Sequence, residues 1–117
     1  MSRFEQDTIK RQIRQMGEVV AAILTRAHAE QDLEFGLRAI REATATDFGL
    51  DRSLLDRLDV PSAAVLLRVA DRVRLYAQVC TAEAELLETL GRVDEATRLR
   101  GRAALLVSAS DTLPSVS

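Results

Sequence analysis

Between residues 9 and 27 the apolar side chains fall at Ile9, Ile13, Met16, Val20, Ile23 and Ala27, in alternating steps of four and three. That interval returns each side chain to one side of an α-helix, whereas a strand needs a period of two, so the segment is committed to a long amphipathic helix. The helix is predicted over 3–29, with Lys10, Arg11 and Arg14 on its outer face. Ala21, Ala22 and Leu24 widen the stripe in its second half, giving apolar area on an adjoining face that one neighbouring contact would not cover. Ile9, Ile13, Met16, Val20 and Ile23 are therefore a candidate self-association stripe, with internal core as the alternative use of the same residues. A closed two-fold homodimer is the expected partner arrangement.

The remainder of the chain extends the helical reading. Apolar residues make up 47% of the 117 positions but aromatics only 3%, so the core has to be built from Ala, Leu, Val and Ile, the composition of closely packed helices. A short helix is predicted after "EQD", with Leu33, Leu37 and Ile40 inward, ending near Thr44. "TATDFGLD" has the residues of a turn, and Asp51 or Ser53 is placed to cap a short helix containing Leu54, Leu55 and Leu58. Pro61 suits the first turn of the next helix, which is expected to run through Val65, Leu66 and Val69. No Gly or Pro interrupts residues 62–90; a break is expected near Asp71, with that residue as a fresh N-cap.

The last two stripes are the clearest. Val73, Tyr76, Cys80, Ala84 and Leu87 form one, and Ala96, Leu99, Ala103 and Leu106 form the other, separated by Gly91 and followed by Asp94 and Glu95 in a new first turn. The fold class is thus all-α, a small bundle of five or six helices ending in an antiparallel αα-hairpin. One helical domain is expected over 1–108, with the first helix, short helices over 31–70 and the hairpin over 71–108; "ASDTLPSVS", lacking a periodic face, is expected to make 109–117 a flexible tail.

The hairpin resembles one tetratricopeptide-type repeat over residues 77–110. Ala84, Ala96 and Ala103 stand at small positions, Leu87 and Val93 at large packing positions, and Gly91 at the turn; Cys80 and Arg100 replace the large aromatic and apolar residues usual at their places. Ala84, Leu87, Gly91, Ala96 and Ala103 are accordingly the candidate hairpin-packing residues. A lone degenerate repeat does not form the concave groove of a repeat array, so array-type peptide binding is not implied. The whole chain also resembles a family of small uncharacterised bacterial proteins that open with an amphipathic helix like "FEQDTIKRQIRQMGEVVAAIL" and close with such a hairpin; that resemblance implies a fold and no activity.

Sites for chemistry are sparse. His28 is the only histidine, and its neighbours Glu30 and Asp32 give no convergent ligand spacing; Cys80, the only cysteine, sits mid-helix on an apolar stripe, far from the cationic or N-terminal setting that activates a thiol. The expected reading has no catalytic residues, no metal and no cofactor: a non-enzymatic protein. Among the five glycines no phosphate loop occurs. Glu83, Glu85 and Glu88 are expected on a solvated face. Lys10, Arg11 and Arg14, with Arg98, Arg100 and Arg102, are the basic clusters on which an alternative reading, a small regulatory nucleic-acid binder, would rest, but no aromatics interleave with them and the net charge is −2. No run approaches the ~18 apolar residues of a membrane span, so the expected setting is cytoplasmic and the expected function is protein–protein interaction through helix surfaces.

Overall fold

A computed structural model describes residues 2–45 and 51–116, and all of the regular structure in them is helical. The elements are α1 (Arg3–Glu30), α2 (Leu33–Ala43), α3 (Arg52–Arg57), α4 (Val60–Leu67), α5 (Ala70–Thr89) and α6 (Val93–Ser110). The central five residues of the turn expected in "TATDFGLD" lie outside the described residues.

The caps explain where the helices begin. Glu5 N–H donates to Ser2 Oγ at the head of α1, Phe35 N–H to Asp32 Oδ1 at the head of α2, and Ser53 N–H to Asp51 Oδ1 at the head of α3. Each satisfies a donor that the helix cannot pair internally, a contribution of about 1 kcal/mol. Between α1 and α2 the chain turns at Gln31, which adopts φ 54° so that Asp32 N–H reaches Ala27 O. Pro61 lies in the first turn of α4, where its missing N–H is harmless.

The helix expected to change near Asp71 breaks three residues earlier. Arg68 adopts φ 73° and ψ −43°, and Val69 N–H donates to Leu67 O across it, the geometry of a γ-turn. Asp71 therefore does not cap α5; its carboxylate accepts instead from Val116 N–H at 2.8 Å and Ser115 Oγ at 3.3 Å. The segment expected to be a loose tail makes contacts with the helices. α6 continues to Ser110, so Ala109 belongs to the helix, and beyond it Pro114 O accepts from Ala70 N–H while Val116 is buried against Ile9 and Val69. The orphan N–H of a new helix, the Asp71 carboxylate and the side chains of Leu113 and Val116 hold the segment.

α5 is the spine. It packs against α1, α2, α4 and, most extensively, α6, so residues on most of its circumference are buried. The hairpin stripe Val73, Tyr76, Cys80, Ala84 and Leu87 is wholly buried, as are Ala96 and Leu106 opposite, with Ala103 nearly so. In α4 the inward face is Ala63, Ala64 and Leu67, while Val65 and Leu66, expected inside, are exposed. Smaller side chains allow α4 to approach α5 and α6 closely, and the larger pair is left outside.

One close approach between helices was not signalled by the apolar pattern. A Cβ built on Gly36 in α2 would stand 2.6 Å from Ala27 Cβ in α1 and 3.4 Å from Leu86 Cδ1 in α5. Neither atom at the first contact lies on a flexible chain, so Gly36→Ala forces the two helices apart. Alanine's helix propensity returns about 1 kcal/mol, and overpacking costs about 1–3 kcal/mol. Net destabilisation of about 1 kcal/mol is expected in urea unfolding; stabilisation would show that α1 and α2 separate freely.

Candidate functional site

Two surface features stand out, on opposite sides of α5. The first is an apolar groove of about 500 Å³. Its floor is α5, where Arg74, Gln78, Thr81 and Glu85 recur in steps of four, three and four and form the helix's solvent-facing strip, with Leu75, Ala77 and Ala82 beside them. Gly17, Val20, Ala21 and Leu24 of α1 make one wall, and Val107 of α6 closes the other side.

This geometry redistributes the candidate self-association stripe. Ile9, Met16 and Val20 are buried within the chain, and Ile13 and Ile23 are half-buried against it. The part of α1 that borders the groove is the margin of the stripe, at Gly17, Ala21 and Leu24, because α2, α5 and the C-terminal segment cover its centre. The hairpin set is brought together as a packing unit. Ala84, Leu87, Ala96 and Ala103 lie in the core, and Gly91 adopts φ 84° between α5 and α6, where Gly91 N–H reaches Glu88 O and Arg92 N–H reaches Leu87 O.

The second feature is a buried ionic cluster that the sequence reading missed. Glu83, expected on a solvated face, is 1% exposed, whereas Glu85 and Glu88 are exposed. Arg41 Nε of α2 lies 3.1 Å from Glu83 Oε1, and Arg52 of α3, itself buried, pairs with Glu83 Oε2. Arg52 also donates to Thr44 Oγ1 at 2.9 Å and approaches Asp56 at 3.5 Å. Burial opposes the Arg52 charge, but the hydrogen bond and charge of Glu83 outweigh it and hold the guanidinium pKa above its ordinary value. The Tyr76 hydroxyl bonds to Asp56, and burial followed by that carboxylate raises the phenol's pKa, keeping it protonated.

A signal for Glu83 was present: Tyr76, Cys80, Glu83 and Leu87 step by four, three and four, so the carboxylate stands on the buried face of α5. A charge at such a position needs a partner. Arg52 is that partner, from a short helix distant in sequence.

The basic run "RLRGR" is dispersed. Arg100 pairs with Glu88 across the hairpin. Arg102 donates to Leu55 O at 2.7 Å and Leu58 O at 2.8 Å, satisfying the last carbonyls of α3, and its guanidinium stacks 5.5 Å from the Tyr76 ring centroid. Arg98 is exposed and has no ion-pair or hydrogen-bond partner among the described residues. Lys10, Arg11 and Arg14 are exposed on α1.

His28 is exposed near the end of α1, while Cys80 is enclosed, its thiol pushed up to about 12 by burial, with Arg52 opposing and Glu83 and Asp56 reinforcing the shift. Such a thiol is protonated at neutral pH and has no access to a substrate. Among the described residues no group of three or more His, Cys, Asp or Glu side chains converges as metal ligands would, and no helix is long and apolar enough to cross a membrane. In comparisons with known proteins, the chain matches no family model, no curated protein and no solved structure.

Proposed function

We propose that this chain is a non-enzymatic, cytoplasmic interaction protein that assembles with a second copy of itself through the α5 groove. The observation that carries this reading is the self-complementary charge of the groove. Arg74, which within the chain also reaches Ser110 Oγ at 3.2 Å and Asp111 at 3.8 Å from its half-exposed side chain, and Glu85 both border it and lie eleven residues apart on α5, three helical turns or about 16 Å along one face. A two-fold axis crossing α5 midway between them sets Arg74 of one copy opposite Glu85 of the other, and the reverse, as an isologous interface requires.

The small residues Gly17, Ala21, Ala77 and Ala82 let backbones approach, and the apolar margin of α1 supplies the area to be covered. The hairpin behind the groove follows a tetratricopeptide-like register at Ala84, Gly91, Ala96 and Ala103, serving as a rigid back wall and not as a peptide-binding array. The dispersal of Arg98, Arg100 and Arg102 also favours a protein partner over nucleic acid, since one phosphate backbone could not engage all three.

Sedimentation equilibrium tests the proposal. Wild type at micromolar concentration is expected to be dimeric, and Ala21→Glu, at an exposed position on the groove wall, to be a folded monomer. Arg74→Glu and Glu85→Arg should each weaken association by creating like-charge pairs, and their combination should restore it. A monomeric wild type, or a double variant no tighter than either single one, would overturn the dimer.

A further inference from the structure

On the face of α5 opposite the groove lies a cavity of about 330 Å³ where α2, α3, α5 and α6 meet. Arg41, Arg52, Arg98 and Arg102 line it together with Asp56, Glu83 and Glu95, leaving one positive charge in excess among the described residues. The carboxylates are each ion-paired or hydrogen-bonded: Glu83 by Arg41 at Oε1 and by Arg52 at Oε2, which has that ion pair but no hydrogen-bond donor, Asp56 by Tyr76 and Arg52, and Glu95 by both Nε and Nη2 of Arg92, at 3.2 and 2.8 Å. The cations are not all engaged. Arg98 has no partner among the described residues, Arg41 uses only its Nε, and the buried Arg52 Nε has an ion-pair neighbour in Asp56 but no hydrogen-bond acceptor.

We propose that this cavity binds a small oxyanion, with Arg98 and Arg41 clasping a carboxylate or phosphate head above the unsatisfied Arg52 Nε. Guanidinium groups pair bidentately with either head, and a buried N–H lacking an acceptor is a standing penalty that a ligand oxygen relieves. Leu87 and Leu99 form the apolar part of the lining, suited to a short aliphatic body. Among the described residues no aromatic ring lines the cavity, so none of them offers nucleobases a stacking surface. The site is independent of the groove: it holds whether or not the chain dimerises.

Calorimetric titration of the full chain with inorganic phosphate and with succinate, in chloride buffer of constant ionic strength, provides the test. Saturable binding of one anion per chain is expected for at least one of the two, phosphate preference assigning a tetrahedral head and succinate preference a planar one. Arg98→Gln should weaken that affinity by about tenfold or more, the worth of one charge-assisted hydrogen bond. Arg100→Gln, whose guanidinium engages Glu88 instead, should leave it unchanged. Circular dichroism confirms that both variants are folded, as their exposed positions lead one to expect. Equal affinity in wild type and Arg98→Gln, or a response to both anions no different from that to chloride, would overturn the proposal.

Discussion

Glu83→Leu is expected to lower stability by about 3–5 kcal/mol, because it leaves the buried Arg52 guanidinium without its principal counter-charge. A domain of this size has roughly 5–15 kcal/mol in hand, so the loss corresponds to a fall in Tm on the order of 15 °C or more. Asp56, 3.5 Å from Arg52 Nε and half-exposed, is too distant and too well solvated to replace it. Arg41 loses the same partner at little cost, since its side chain is 47% exposed and water can take over its donors. The diagnostic is the double variant Arg52→Leu/Glu83→Leu. Desolvating two charges costs about as much as their attraction returns, so replacing both with apolar residues should recover most of the loss. Arg52→Leu alone should cost less than Glu83→Leu, because Arg41 Nε still pairs with Glu83 Oε1 at 3.1 Å. If the two single variants are mild and their effects add, the pair is not coupled and the cluster does not anchor α3 to α5.

That cluster also marks the limit of what the sequence exposes. Repeating apolar steps carry their own signal, which is why α1, α5 and α6 are legible: each repeats its interval over several turns, and Gly91 punctuates the last two. Short helices carry too few turns for this. In α4 the stripe of Ala63, Ala64 and Leu67 competes with the larger Val65 and Leu66, and a reading weighted by hydrophobicity chooses the pair that close packing leaves outside. The C-terminal segment is held by Pro114 O, the Asp71 carboxylate and the side chains of Leu113 and Val116, individual contacts with no period to detect. The break at Arg68 is set by the same contacts, since the first N–H of α5 is satisfied from 44 residues away in sequence, by Pro114. The groove was half-visible: the stripe of α1 announced excess apolar area, but which margin remains uncovered depends on how α2 and α5 lie across it. The ionic cavity combines four helices, and Arg98 gains its meaning only from the fact that its neighbours Arg100 and Arg102 are spent elsewhere.

Ala96→Leu and Ala84→Leu are expected to destabilise the chain by about 1–3 kcal/mol each, with Ala104→Leu in the same helix as α6's exposed control, within about 0.5 kcal/mol of wild type. Ala84 and Ala96 have no accessible surface, so three added carbons displace atoms already in contact. Relief by separating the helices is blocked at the turn, where Gly91 and the bond from Arg92 N–H to Leu87 O fix the spacing, and further along by the pair between Arg100 and Glu88. On the far side of α5, α1 and α2 are packed in turn, so a displaced α5 would have to move them as well. Ala109→Leu should fall between these extremes, because Ala109 lies in the last turn of α6 and is half-buried against the core. Urea unfolding at constant m-value orders the four variants. Coincident midpoints for Ala84→Leu, Ala96→Leu and Ala104→Leu would mean that α5 and α6 are not held at alanine distance, and the close-packed hairpin would have to be abandoned.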